Sequence, residues 1–527
     1  MSILFLNGKI ASLDSKDNFY EAIGIKNNII DFLGTNEEGK SIEKDYDQVI
    51  DLNNKLVIPG FNDSHMHLLN YGYTLEKMDL TKYTSIEDMI NGAKAFLEDK
   101  PSEFWLLGRG WNQDKFKEHR FVTREDLDKI SEEVPIIFTR TCGHIAVCNS
   151  MALTYLNLKE LRENPNVNLE LGIFKEAASN ILYAAIPSPT VLEIKKMITN
   201  TCKELLSYGI TSVQSDDFDA MPDKNYENII KAYKELLDEG KLKVRIYEQC
   251  LFPNMKIFQE FIDKGYKTGE GNNFFKIGPL KLLLDGALGG RTALLREPYS
   301  DDSSTCGIGV YTQEELDKYV KLAQDNNFQI AAHAIGDKAM DLYLNSLEKL
   351  GQHLEKYRHG IVHCQITTMD ILERMKRLGV MAYIQPIFLD YDMHIVKERV
   401  GERAKESYIF KTMRNLGIKV SGGSDAPVVH FNPFENIYSA VCRKDLQGYP
   451  EGGYMPEEKM SVKDALKMFT IDGAYCSFEE NIKGTLEIGK LADLVVLSED
   501  IFNVKEDKIK DIEAILTMVN GEIVYEK

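Results

Sequence analysis

The sequence predicts an α/β chain built on a (β/α)8 TIM-like barrel, with a small β-sandwich domain assembled from both chain ends. Three observations carry this. Short apolar runs alternate with helical patterns through the middle of the chain, as a closed parallel barrel requires. Turn-punctuated β patterns occupy both termini. No Gly-x-Gly-x-x-Gly turn follows an early strand, which disfavours an open doubly wound sheet. At 527 residues the chain is too long for one small domain and ample for a large core.

Residues 1–56 read as β. Ile3 to Leu6 meets Asn7-Gly8 before Lys9 to Leu13, and Ile23 to Ile25 meets Asn27-Asn28 before Ile29 to Leu33. These are hairpin signals. Residues 480–527 answer them with Ala492 to Leu497, then Ile512 to Val519, Asn520-Gly521 and Ile523 to Tyr525. Neither end alone can bury a core, so the two are predicted to pair, with residues 57–479 inserted as the barrel.

Within that barrel the first strand is read over Val57 to Asn62. An insertion at about 70–205 follows, holding a helix capped by Thr84-x-x-Glu87 and strands near Trp105 to Leu107 and Ile136 to Phe138. Thr190-x-x-Glu193 caps a helix that Tyr208-Gly209 ends, and the strand Ile210 to Ser215 begins. Strands over Val244 to Gln249 and Leu280 to Leu284 come next. Thr312-x-x-Glu315 caps a helix before Gln329 to Ala332, and the strand Gly360 to Val362 precedes a helix over Met369 to Leu378. Val380 to Gln385 and Lys419 to Ser421 complete eight strands. A long insertion after a barrel strand sits over the face where loops carry specificity.

Composition excludes several classes. Hydrophobic residues at 43% and charged residues at 28% are ordinary for a globular protein. A formal charge of −19 argues against nucleic acid and anionic membranes. The eight cysteines are scattered without a Cys-x-x-Cys pair, fitting a reducing compartment. Met1 to Asp14 holds no basic leader or cleavage pattern, and no apolar run approaches the roughly 20 residues of a membrane-spanning helix. A cytoplasmic protein with a small-molecule substrate is expected, with neither nucleic acid nor membrane as partner; a homodimer is allowed.

The chemistry lies at the strand ends. His65-Met66-His67 places two imidazoles at i, i+2 beside a strand, where both can face one way. Later strands end at His333, His363 and Asp425. Five first-row metal ligands at C-terminal strand ends form a pattern that scattered histidines would not. His119, His353, His359 and His394 fall elsewhere and read as structural or surface residues. Lys281 stands in the apolar run Ile277 to Leu284, sharing a face with Leu283 and Asp285. A buried lysine needs a chemical reason. Desolvation favours its neutral amine, which can react with carbon dioxide to form a carbamate, a carboxylate able to bridge two metal ions. Snorkelling, or a salt bridge to Asp285, is the alternative.

The order His-x-His, strand-borne Lys, His, His, Asp resembles the amidohydrolase superfamily of binuclear metal hydrolases. Pro59-Gly60-Phe61-Asn62-Asp63-Ser64-His65-Met66-His67 is similar to its first-strand motif. The branch that includes N-substituted formamide deformylases is matched by Gly110-Trp111-Asn112-Gln113, Arg140-Thr141-Cys142-Gly143-His144, Leu284 to Ala293, His333-Ala334-Ile335-Gly336-Asp337 and Gly423-Ser424-Asp425-Ala426-Pro427. One departure stands out: relatives commonly carry Arg-Ile-Glu-His where this chain reads Gly360-Ile361-Val362-His363.

The resemblance implies hydrolysis of a C–N bond, of an amide or N-substituted formamide, by a metal-activated water. His65, His67 and Asp425 would hold one divalent ion and His333 and His363 a second, both zinc, with carboxylated Lys281 between them. Asp425 would also carry the proton to the leaving amine. A mononuclear, deaminase-like site, another amidohydrolase acting on a cyclic amide or an ester, and a scaffold without chemistry are the competing readings, the last opposed by the presence of all six ligands. Trp111, His144 and Arg291 are candidates for the substrate pocket; core packing for Trp111 and a loop-ordering ion pair for Arg291 are the alternatives.

Overall fold

The computed structural model describes residues 2–98, 105–351 and 354–527. Its contacts divide the chain into two compact units. One comprises Met1–Leu69, Ile198–Ala220 and Lys224–Lys527; the other comprises Asn70–Met197 and Met221–Asp223.

The first unit is organised around an eight-stranded parallel sheet in sequence order: Phe61–Met66, Ile210–Ser215, Arg245–Leu251, Phe275–Leu283, Ile330–Ala334, Gly360–His363, Met381–Ile384 and Val420–Gly422. The last strand returns to the first, as in a TIM barrel. Asp425 N–H donates to His65 O and His67 N–H to Ala426 O, both at 2.8 Å. Asp63 staples this seam, its Oδ1 accepting from the backbone N–H of Ser424 at 3.0 Å and of His65 at 3.1 Å. Gly423 is required here, because a Cβ would stand 2.6 Å from His65 N.

The first barrel strand is not the one predicted. Val57 belongs to Leu56–Pro59, which pairs with Lys9–Ala11 and Leu494–Leu497 in a terminal sheet. The barrel strand begins at Phe61, and His65 lies inside it rather than beyond its end. The break falls at Gly60, where a side chain would run into Thr211. A bare Cα lets one apolar run serve two sheets.

Helix boundaries follow their caps. The Thr190–Glu193 and Thr312–Glu315 boxes form, opening Val191–Ser207 and Gln313–Asp325. In the insertion the cap sits one residue later than predicted. Ser85 Oγ accepts from Asp88 N–H at 3.1 Å and the helix runs Ile86–Leu97, because the Thr84 carbonyl is engaged by Lys117 N–H.

Both chain ends contribute to two terminal sheets in this unit. One orders Ile29–Gly34, Ala22–Lys26, Ser2–Leu6 and Gln48–Asp51; the other orders Glu522–Glu526, Ala514–Val519, Leu494–Leu497, Leu56–Pro59, Lys9–Ala11 and Phe19–Tyr20. They share an apolar core in which Ile3, Phe5 and Ile25 meet Leu494, Val496 and Met518. Asn27-Asn28 and Asn520-Gly521 turn hairpins, and all four residues have positive φ, as the tight turn demands. Asn7-Gly8 does not. Only Asn7 is left-handed, and the chain crosses there from one sheet to the other. Arg245 anchors the terminal strands to the barrel through a buried two-point pair with Asp493, at 2.6 and 2.9 Å.

The second unit has a mixed six-stranded sheet ordered Val167–Asn168, Ile173–Lys175, Ile145–Cys148, Ile136–Arg140, Leu106–Trp111 and Met78–Asp79. Alternation feeds two cores. Leu106, Ile136, Val147 and Ile173 face one, while Leu107, Ile137, Ala146 and Phe174 face the other. No helix among the described residues is long and apolar enough to cross a membrane.

Candidate metal centre

The barrel strands deliver their polar ends to one point. His65, Lys281, His363 and Asp425 are all buried, and His67 partly so. Asp425 Oδ1 lies 3.2 Å from His65 Nε2 and 2.9 Å from His67 Nε2. Lys281 Nζ is 3.0 Å from His65 Nε2. The His65 and His363 rings stand 5.7 Å apart in an edge arrangement, and those of His363 and His333 4.5 Å apart. His363 and Asp425 hold left-handed backbone at φ 76° and 64°, strain of the kind that collects at functional sites.

Asp216, immediately after the strand Ile210–Ser215, joins the group. One oxygen pairs with His67 Nδ1 and the other lies 3.1 Å from Lys281 Nζ. Thus Lys281 has a salt bridge, but to Asp216 and not to Asp285. Asp285 instead accepts from the backbone N–H of Leu294, Ile335 and Gly336. His333 turns its Nε2 toward Gly286 O at 3.2 Å and Asp285 Oδ1 at 3.3 Å.

The donors fit a divalent first-row metal. His65, His67 and Asp216 form one cluster and His65, His363 and Asp425 another, each with donor atoms within 4.8 Å of one another. His333 belongs to neither. Among the described residues the buried Asp216 oxygens pair with His67 and Lys281 alone, and each keeps a second lone pair that a cation could take.

Two glutamines fix the imidazoles. Gln249 Oε1 lies 2.9 Å from His65 Nδ1, and Gln385 Oε1 lies 2.7 Å from His363 Nδ1. An Nδ1–H donated to each oxygen leaves Nε2 as the free donor atom on both rings. Phe388 stacks on His363 at 5.8 Å. Val362, next to His363, packs with Ala331, Met381 and Tyr383.

Charge is balanced inside the site. Burial alone would keep His67 neutral, but Asp216 and Asp425 outweigh it and raise its pKa to about 10. Burial, with Lys281 nearby, lowers His65 to about 4; burial also drives His363 well down. Burial would raise both carboxylates, yet His67 and Lys281 hold Asp216 below the usual range, and His65 and His67 hold Asp425 well below it. Burial takes Asp63 up to about 7 against its N–H partners.

Asp216, Gln249 and Gln385 were not singled out from sequence. For Asp216 a signal exists, since Ser215-Asp216-Asp217 ends an apolar strand as the histidines do. The glutamines carry none. Of the other histidines, His359 is a buried structural residue accepting from Ile330 N–H, His394 pairs with Asp445, His119 occupies a left-handed loop position, and His353 lies outside the described residues.

The three pocket candidates fare differently. Trp111 is a core residue, not a lining one: it is fully buried, and its indole N–H donates to Phe138 O at 3.2 Å. Arg291 pairs with Asp301 at 2.7 Å, ordering its own loop. His144 belongs to the second unit and pairs with Glu176 at 3.0 Å.

The profile of the amidohydrolase family matches residues 48–525. Protein YtcJ of Bacillus subtilis (strain 168) is 30% identical over 540 residues, covering 100% of both chains. The N-substituted formamide deformylase of Arthrobacter pascens is 22% identical, over 100% of this chain and 98% of its own. A crystal structure of an uncharacterized metal-dependent hydrolase from Pyrococcus furiosus superposes with a TM-score of 0.81 at 30% identity, covering 95% of this chain and 100% of that one. The chain belongs to the amidohydrolase family, hydrolases acting on carbon–nitrogen bonds other than peptide bonds.

Proposed function

We propose that this chain hydrolyses the C–N bond of an amide or N-substituted formamide. The observation that carries the reading is the convergence of His65, His67, Lys281, His363 and Asp425 at the barrel's C-terminal strand ends. His65, His67 and Asp425 would hold one zinc ion and His333 and His363 a second, with Lys281 as a carbamate between them. Bound there, such ions polarise a carbonyl oxygen and acidify water.

The chain's own residues do the rest. Asp425, ionised by its histidine neighbours, accepts the proton of the attacking water and returns it to the departing nitrogen. Gln249 and Gln385 hold the two imidazole planes. Leu283, on the face of Lys281 and 37% exposed, offers apolar contact to the substrate.

One observation favours a second, one-metal reading: His333 faces Gly286 and Asp285 rather than the other donors. Metal counting separates the two. The activity test is a screen of N-formyl and N-acyl amines, scored as released amine. Hydrolysis lost to chelation and restored by zinc supports the proposal; no turnover of any member by metal-loaded enzyme contradicts it. The paired terminal sheets support a sandwich domain that clamps both barrel ends, and the eight unpaired cysteines support a cytoplasmic location.

A further inference from the structure

The second unit contains two adjoining cavities whose walls belong to it alone. The larger, about 630 Å³, is lined chiefly by Tyr73, Trp105, Leu107, Ile186, Pro187 and Pro189. The smaller, about 380 Å³, shares Tyr73, Lys77, Leu107 and Ile186 with it and adds Arg109, Thr139 and Tyr183. Both lie within the range of small-molecule sites.

Their charges are asymmetric. At the larger cavity Glu76 pairs with Lys196 at 3.3 Å, and Glu193 is consumed in capping Thr190. Lys77 and Arg109 are different: among the described residues neither contacts a carboxylate. Lys77 lies over the Tyr73 ring at 4.1 Å, and burial, with Arg109 nearby, lowers its pKa to about 8. Thr139 Oγ1 and Tyr183 Oη, 2.7 Å apart, add hydroxyls on the same wall. Two neighbouring cations without a counter-charge repel each other, and an anion between them would relieve that.

We propose that these cavities form one binding site for an amphipathic monocarboxylate. Its head lies between Lys77 and Arg109, and its apolar body fills the space against Trp105 and Leu107. The proposal does not rest on the reaction proposed above, because none of the residues it uses is assigned to the metal centre.

Trp105 supplies the readout. The chain has two tryptophans, and Trp111 is fully buried. Titrating the full-length, metal-loaded protein with decanoate should shift tryptophan emission and give one site by calorimetry. Decylamine should not bind. Lys77→Met, checked for folding by circular dichroism, should weaken decanoate at least about tenfold, the equivalent of about 1.4 kcal/mol; Arg109→Leu should act in the same direction. Trp105→Phe should abolish the emission change while calorimetric binding persists. No decanoate binding at millimolar concentration, equal binding of decylamine, or unchanged affinity in both cation variants would overturn the proposal.

Discussion

The proposed mechanism gives Asp425 two duties, donating to metal and moving a proton, and the two can be separated. Asp425→Asn keeps an oxygen and the shape but cannot accept the proton. Turnover should fall about 10²-fold or more while metal content is retained; near wild-type rates at full occupancy would refute the assignment. Gln385→Leu removes the acceptor at His363 Nδ1 without changing a ligand. Metal affinity, measured by chelator competition, should fall about 10–100-fold, and an unchanged affinity would show that Gln385 does not orient the ring. The clustered donors His65, His67, His363 and Asp425 stood out in the sequence because residue type and position near a strand end coincide, whereas His333 has the same pattern but turns toward Gly286 and Asp285. The supports of the clustered donors did not stand out. Gln249 meets His65 across 184 residues, and nothing local to a glutamine records which imidazole it will hold. Trp111 misled because a tryptophan in a motif looks the same whether it lines a pocket or fills a core.

Connections between elements explain both the accurate and the inaccurate expectations. Hairpins at Asn27-Asn28 and Asn520-Gly521 were legible because each pair can take two left-handed residues; Asn7-Gly8 has the same appearance, but its flanking strands find other partners. The Val57 run read as one strand because periodicity does not mark where an apolar segment changes sheets. The buried Arg245–Asp493 pair joins such segments, with both side chains nearly inaccessible. Asp493→Ala strands the guanidinium and should cost about 3–5 kcal/mol in denaturant unfolding; a loss below 1 kcal/mol would show that the pair is not an anchor. Glu479 acts similarly between Lys276 at 2.5 Å and Lys483 at 2.7 Å. Burial opposes its ionisation, but the lysines prevail and lower its pKa to about 2. Its stabilisation is therefore complete above the unfolded value of about 4.3 and lost as pH falls toward 2. Glu479→Gln should flatten the acid limb of the stability profile, and an identical limb would contradict this.

At the scale of the whole chain, the candidate metal centre lies on a barrel, and both termini contribute strands to two further sheets. Trimming to about residues 56–480 removes both strands that pair with Leu56–Pro59 and uncovers its four buried side chains. The trimmed chain should be insoluble or unfolded; a soluble, monodisperse and active product would show that the barrel stands alone. Barrel topology was legible because apolar strands and capped helices alternate at short intervals. The insertion's internal order was not, since its mixed sheet brings strands together in an order that local patterns do not encode. In the proposed centre, residues from separate strand ends hold two ions with Lys281 as a carbamate between them. The most direct test of this arrangement is a crystal structure of the zinc-loaded protein, with anomalous scattering to count the ions. Two zinc ions per chain are expected, ligated by His65, His67, His333, His363 and Asp425, with density for a carboxylated Lys281 bridging them. A single ion, with Lys281 ending in a plain amine against Asp216, would contradict that arrangement.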